Sequence, residues 1–161
     1  MASQRGIRVD LQAQRLDLFH GGEVRASYPV STASKGPGER MGSECTPRGL
    51  HEIRARIGAG APEGAVFVAR RATGEIWSEA LASAEPGRDW ILTRILWLRG
   101  LEPGRNRLGA VDSMRRYIYI HGTPDEAGIG RPGSHGCIRM RNADVIDLFD
   151  RVEVGTRVEI G

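Results

Sequence analysis

Two histidines and a cysteine fall within one stretch, Tyr117 to Met140, which reads YIYIHGTPDEAGIGRPGSHGCIRM. A thiol becomes a strong nucleophile as the thiolate, and the usual route to that state is a nearby imidazole that takes the proton while a third group holds the ring. His121 ends an alternating apolar and aromatic run, and Cys137 lies 16 residues on, so the loop between can fold back and bring the two together. Cys137 then reads as the nucleophile and His121 as its base. Gly122 can offer its carbonyl to the second imidazole nitrogen. Gly136 allows a close backbone approach, and the amides of Gly136 and Cys137 could form an oxyanion hole. His135 reads as a donor that orders the turn from Ser134 to Cys137.

The rival from another class is a zinc site built from His121, His135 and Cys137. No further cysteine, histidine or acidic residue stands at familiar ligand spacing to close the shell, since Asp125 and Glu126 belong to the loop between. The expectation is therefore no metal and no cofactor. Arg139 and Arg141 follow the cysteine at alternate positions. Arg139 reads as a group that could hold a substrate carboxylate beside the nucleophile, and Arg141 as a solvated side chain.

The elements that must position these groups are mostly strands. Ile7 to Leu11, Arg15 to Phe19 and Val24 to Val30 alternate apolar and polar residues around the turn His20-Gly21-Gly22, the pattern of a β-meander. Leu50 to Ile57, Ala65 to Arg70 and Glu75 to Trp77 continue it, and Trp90 to Leu98 is apolar enough for a buried strand. Ser34 to Ser43 reads as a mobile polar loop near one end of the sheet. After the cysteine, Asn142 is placed to cap a helix that carries Val145, Ile146, Leu148, Phe149 and Val152 on one face, with Asp144 in its first turn; Gly155 closes it and Thr156 to Ile160 is a last strand. Cys45 reads as a small filler, His20 and His51 as surface residues, and Trp77, Trp90 and Trp97 as core or pocket wall.

With 161 residues and 22 glycines spread along the chain, one mainly β domain spanning 1–161 is expected. The charges, 23 basic and 20 acidic, are interspersed, which argues against a nucleic-acid partner because phosphate binding needs a clustered basic face. Lys35 is the only lysine. The N-terminal run MASQRGIRVDLQAQRLDLF has no apolar core and no small-residue cleavage site, and no window approaches a membrane span. The sequence thus leads one to expect a cytoplasmic protein without a membrane partner, the periplasm being the alternative if a signal peptide has been removed.

His121-Gly122-Thr123 and Ser134-His135-Gly136-Cys137-Ile138-Arg139-Met140 resemble the signature of the YkuD family, the L,D-transpeptidase catalytic domain. Thr46-Pro47-Arg48-Gly49 resembles that family's TPxG turn, and the helix near Asn142 falls where the family has one. The resemblance implies a β-sandwich-like fold with one or two short helices and peptidoglycan stem peptides (muropeptides) as the partner. By position it implies Cys137 as nucleophile, His121 as base, the Gly122 carbonyl as its orienter, His135 as a supporting group, and Arg139, Ser134 and Thr123 on the substrate side. It further implies sensitivity to carbapenems. Two activities are compatible with it: a cytoplasmic L,D-carboxypeptidase of murein recycling, favoured here by the plain N-terminus, or a periplasmic L,D-transpeptidase that crosslinks stems or attaches proteins to peptidoglycan. A non-catalytic peptidoglycan-binding module is the remaining class.

Overall fold

A computed structural model of the chain describes residues 5–161. Met1 to Gln4, on which the leader expectation partly rests, lie outside the described residues. Ten strands follow one another: β1 (Arg5–Asp10), β2 (Arg15–His20), β3 (Glu23–Ser31), β4 (Gly49–Ile57), β5 (Ala65–Val68), β6 (Arg71–Ile76), β7 (Ile91–Gly100), β8 (Tyr119–Gly122), β9 (Ile138–Met140) and β10 (Arg157–Ile160). Helix α1 (Glu79–Ala84) separates β6 from β7, and α2 (Asn142–Arg151) follows β9. The strands form one sheet in the order β4-β10-β1-β2-β3-β9-β8-β7-β5-β6, and a further pairing of β4 with β7 closes the run from β4 to β7 on itself. The mainly β, sandwich-like architecture expected from the sequence is thus present, with its two layers continuous around the closure.

Alternation along β1, β2 and β3 sends Ile7, Val9, Leu16, Leu18, Tyr28 and Val30 inward, as the period of two requires. Ile53, Leu96, Ile120, Ile138 and Met140 meet them from the other strands, and α2 lays Val145, Leu148 and Phe149 on the same core. Each such fully buried aliphatic or aromatic side chain contributes about 1.5–3 kcal/mol of transfer free energy.

One pair of neighbouring strands positions the candidate site residues. β8 and β9 are parallel, with Ile120 opposite Ile138 and His121 opposite Arg139. Parallel neighbours cannot be joined by a tight hairpin, so the loop between them must cross over and deliver Cys137 at the start of β9. Residues in register share a face. The even-numbered Ile118, Ile120, Ile138 and Met140 face the core, while Tyr119, His121, Cys137 and Arg139 lie on the opposite face of the sheet.

Several sequence expectations are corrected. Tyr117 is not in the strand: it has a left-handed φ of 56°, and β8 begins at Tyr119. His51 is fully buried, not on the surface. β4 sits between β10 and β7, so the inward face of His51 meets protein, and its imidazole lies 3.0 Å from the Gly49 carbonyl and 2.8 Å from the Ser113 hydroxyl. The cap of α2 is Arg141, with no side-chain cap bond. Asn142 is the first helical residue, and its amide N–H donates to the Glu126 carboxylate at 2.7 Å, which serves the helix N-terminus instead. The segment read as a mobile loop is tied down by bridges between Ala33 and Ser134 and between Pro37 and Thr46.

Candidate active site

The nucleophile candidate is held by the strand beside it. The Tyr119 amide donates to Cys137 Sγ at 3.3 Å, and the thiol donates to the Tyr117 carbonyl at 3.3 Å. The left-handed turn at Tyr117 presents that carbonyl to the sulfur. Tyr119 and Cys137 both belong to a small apolar cluster with Ala65, Phe67 and Ile95. Burial pushes the Cys137 thiol up, to about 11, although the Tyr119 amide and the charge of Arg139 favour the thiolate.

His121 is 1% exposed. Its Nδ1 lies 2.6 Å from the Gly122 carbonyl, and that contact requires the proton on Nδ1, so Nε2 is the free acceptor. Burial drives the imidazole down to about 4, against the opposing bond to Gly122. At neutral pH the pair is therefore a neutral thiol and a neutral imidazole.

The turn before Cys137 is ordered by hydroxyls, not by His135. Ser134, 1% exposed, donates from Oγ to the Cys137 carbonyl (2.6 Å) and accepts from the Gly136 amide (3.1 Å). Thr46 Oγ1 donates to the Gly136 carbonyl at 2.9 Å. This bond ties the Thr46-Pro47-Arg48-Gly49 turn to the cysteine motif, 90 residues away in sequence. Gly136 has φ of 129°, and a Cβ there would come within 3.2 Å of the Cys45 carbonyl. Because the Gly136 amide is engaged with Ser134, the Cys137 amide is the nearer candidate for an oxyanion.

His135 is exposed beside Cys137. Thr123 is buried; its hydroxyl accepts from the Asp125 amide (3.2 Å) and its carbonyl from Asn142 Nδ2 (2.9 Å). Arg139 is half-buried, with Nη1 donating to the Gly133 carbonyl (3.2 Å) and Nη2 lying 3.5 Å from Asp89. Arg141 is exposed. Cys45 is a free thiol, and its backbone, not its sulfur, reaches the site.

Two recesses meet at Cys137. One, of about 200 Å³, is bounded by Met41, Glu44 and Arg116; the other, of about 160 Å³, by Asp89, Tyr117, His121 and Arg139. Arg116 and His135 line both. A larger open groove around Arg5, Phe19 and Arg157 shares no residue with either. Among the described residues, no three His, Cys, Asp or Glu side chains converge in a way that could hold a metal ion, and no helix is long and apolar enough to cross a membrane.

Sequence reasoning missed three parts of this arrangement. Arg116, in an arginine-rich chain, carries no local signal. The Tyr119 amide is invisible because backbone groups are the same at every position. The support behind His121, where Thr93 Oγ1 donates to Asn142 Oδ1 at 2.6 Å, joins residues from distant strands and helices, and only the cap-like character of Asn142 hinted at it.

The model of the YkuD family, described as the L,D-transpeptidase catalytic domain, matches residues 4–160. A probable L,D-transpeptidase of Escherichia coli strain K12, YbiS, is 54% identical over 44 residues, 27% of this chain and 14% of that protein. An L,D-transpeptidase structure from Mycobacterium smegmatis superposes with a TM-score of 0.59 at 20% identity, covering 98% of this chain and 58% of that one. L,D-transpeptidase 3 from Mycobacterium tuberculosis, solved with a faropenem-derived adduct, gives 0.60 at 13% identity over 97% of this chain and 59% of that one. The chain thus accounts for only part of the length of each of these proteins.

Proposed function

The chain belongs to the YkuD family of L,D-transpeptidase catalytic domains, and from that premise we propose that it is a cysteine acyltransferase of peptidoglycan stem peptides that uses water as its acceptor. It would be an L,D-carboxypeptidase, releasing the terminal D-alanine of a tetrapeptide stem. The observation that supports the cysteine chemistry is the His121 imidazole, its Nδ1 held by the Gly122 carbonyl in the recess that also holds Cys137. As Sγ attacks the carbonyl carbon of the third stem residue, its proton passes to His121 Nε2. The Cys137 amide receives the oxyanion. The C–N bond to D-alanine then breaks, the departing amine takes the proton from Nε2, and a thioester remains. Water attacks that thioester and gives a proton to Nε2; the C–S bond breaks, and the sulfur recovers the proton.

The size of the recesses supports water. At about 200 and 160 Å³ each is smaller than the roughly 300–1,000 Å³ of sites that enclose a drug-sized ligand, and water needs no such site. Crosslinking is the second reading, favoured by the approach of two recesses to one sulfur, as a donor and an acceptor stem would need. The cytoplasm goes with the first reading and the periplasm with the second, and fractionation of cells tests which compartment holds the protein. Incubation with a disaccharide tetrapeptide, with and without an acceptor stem, separates the activities by product mass. Tripeptide and D-alanine as the main products in both mixtures support hydrolysis, whereas a stem dimer as the main product with acceptor present overturns it.

A further inference from the structure

Arg116 stands beside the nucleophile as a half-buried cation with no anion of its own. It lines both recesses at Cys137, and among the described residues it forms no ion pair. Its partners are neutral oxygens: the Gly38 carbonyl (3.3 Å), the Cys45 carbonyl (2.6 Å) and the Ser43 hydroxyl (3.4 Å). A guanidinium has five N–H donors, so these bonds leave two unassigned. The carboxylates in the neighbourhood already have cations. Glu44 pairs with Lys35 at 2.8 Å, Glu39 with Arg48 at 2.9 Å, and Asp89 with Arg139 at 3.5 Å. Arg139, which the sequence singles out for a substrate carboxylate, is therefore the partnered arginine, and Arg116 is the open one.

A partly desolvated charge without a counter-ion is costly, and an arriving anion offsets that cost. Guanidinium and carboxylate match in charge and planar geometry. We infer that Arg116 is a specificity-determining residue that receives the free terminal carboxylate of the substrate beside Cys137. This rests on the proposed peptide substrate, and it explains why a stem ending in a free D-amino acid would be chosen over one whose terminus is blocked.

Two measurements test it, the first independent of any turnover. Iodoacetate and iodoacetamide both lose iodide to the Cys137 thiolate and differ in charge, so the ratio of their rates at Cys137, followed by peptide mass, cancels any change in thiol ionisation. Arg116→Gln should lower the iodoacetate-to-iodoacetamide ratio roughly tenfold, the scale of one unit charge within several ångströms in a partly screened site. Arg116→Lys should keep most of it, and Arg139→Gln should lower it less than Arg116→Gln does. An unchanged ratio in Arg116→Gln would mean that the side chain only straps the Gly38-to-Cys45 loop, and an equal fall in Arg139→Gln would mean a diffuse field; either overturns the assignment. The second measurement compares kcat/KM for a tetrapeptide and its C-terminal carboxamide. Wild type should prefer the free acid and Arg116→Gln should lose that preference. If wild type cleaves both equally while Cys137→Ala is inactive, the carboxylate assignment falls and the peptidase reading stands.

Discussion

His121 Nδ1 lies 2.6 Å from the carbonyl of its own neighbour, Gly122, and this short contact decides the chemistry of the other nitrogen. With the proton committed to Nδ1, Nε2 has a lone pair free for the thiol. Burial keeps the ring neutral by lowering it to about 4 and keeps Cys137 protonated by raising it to about 11. The thiolate–imidazolium pair of many cysteine enzymes is thus disfavoured at rest. Alkylation of Cys137 by iodoacetamide should keep rising with pH beyond 9, the ordinary thiol midpoint, toward about 11. A rate that levels off by about pH 7 would reveal a resting ion pair and refute the neutral one.

Removing the sulfur tests the nucleophile directly. Cys137→Ala should abolish the proposed D-alanine release and the mass increase expected when the wild-type protein meets a carbapenem, with the circular dichroism spectrum unchanged. The substitution leaves only a small void in a half-open position, so its effect on stability should stay within about 1 kcal/mol. Turnover at the wild-type rate in this variant would rule out the proposed mechanism.

The support behind His121 predicts a coupled pair of mutations. A Cβ at Gly122 would collide with Asn142 Oδ1 and come within 2.8 Å of the Leu92 carbonyl. Gly122→Ala should therefore destabilise the fold by about 1–3 kcal/mol and lower turnover by displacing the carbonyl that holds His121. Asn142→Ala alone should cost about 1–3 kcal/mol, because the Thr93 hydroxyl and the Thr123 carbonyl lose their buried partner. Combined, the two should cost less than their sum, since the second removes one of the atoms that the first strikes. Urea denaturation of the four proteins measures the coupling; strict additivity would show that the two positions do not share this space.

Local pattern explains which of these features the sequence discloses. Alternation in β1 to β3 and the helical spacing of Val145, Leu148 and Phe149 are set by nearest neighbours, so they are readable in a single chain. The His121 and Cys137 motifs are readable because the proposed chemistry needs particular side chains. The closure of β4 onto β7 is a long-range pairing with no local mark, and so is the bond from Thr46 to Gly136. His51 misleads for a related reason: in a run containing Glu52, Arg54 and Arg56 it looks solvated, and only the strands on either side of β4 and the hydroxyl of Ser113 enclose it. Asn142 misleads through propensity. It is a favoured capping residue, but a buried amide that can both donate and accept is worth more to the Thr93 and Thr123 network one position inside the helix.

His51 and His121 together predict how the fold responds to acid. Each is buried and neutral, and burial lowers each imidazole from 6.5 to about 4. In the unfolded chain both titrate near 6.5, so between the two values the unfolded state binds more protons than the folded one. The stability that the neutral rings contribute is accordingly complete above pH 6.5 and is lost as the pH falls toward 4. Each ring can account for up to about 3 kcal/mol of that loss, a large share of the 5–15 kcal/mol typical of a domain. Thermal melts between pH 7.5 and 4 should show a steep fall in midpoint below pH 6.5. His51→Gln replaces a titrating group with a neutral one that can still meet Ser113, so it should flatten that fall while lowering the midpoint at pH 7.5. A pH dependence identical to wild type in this variant would show that His51 does not carry the acid sensitivity.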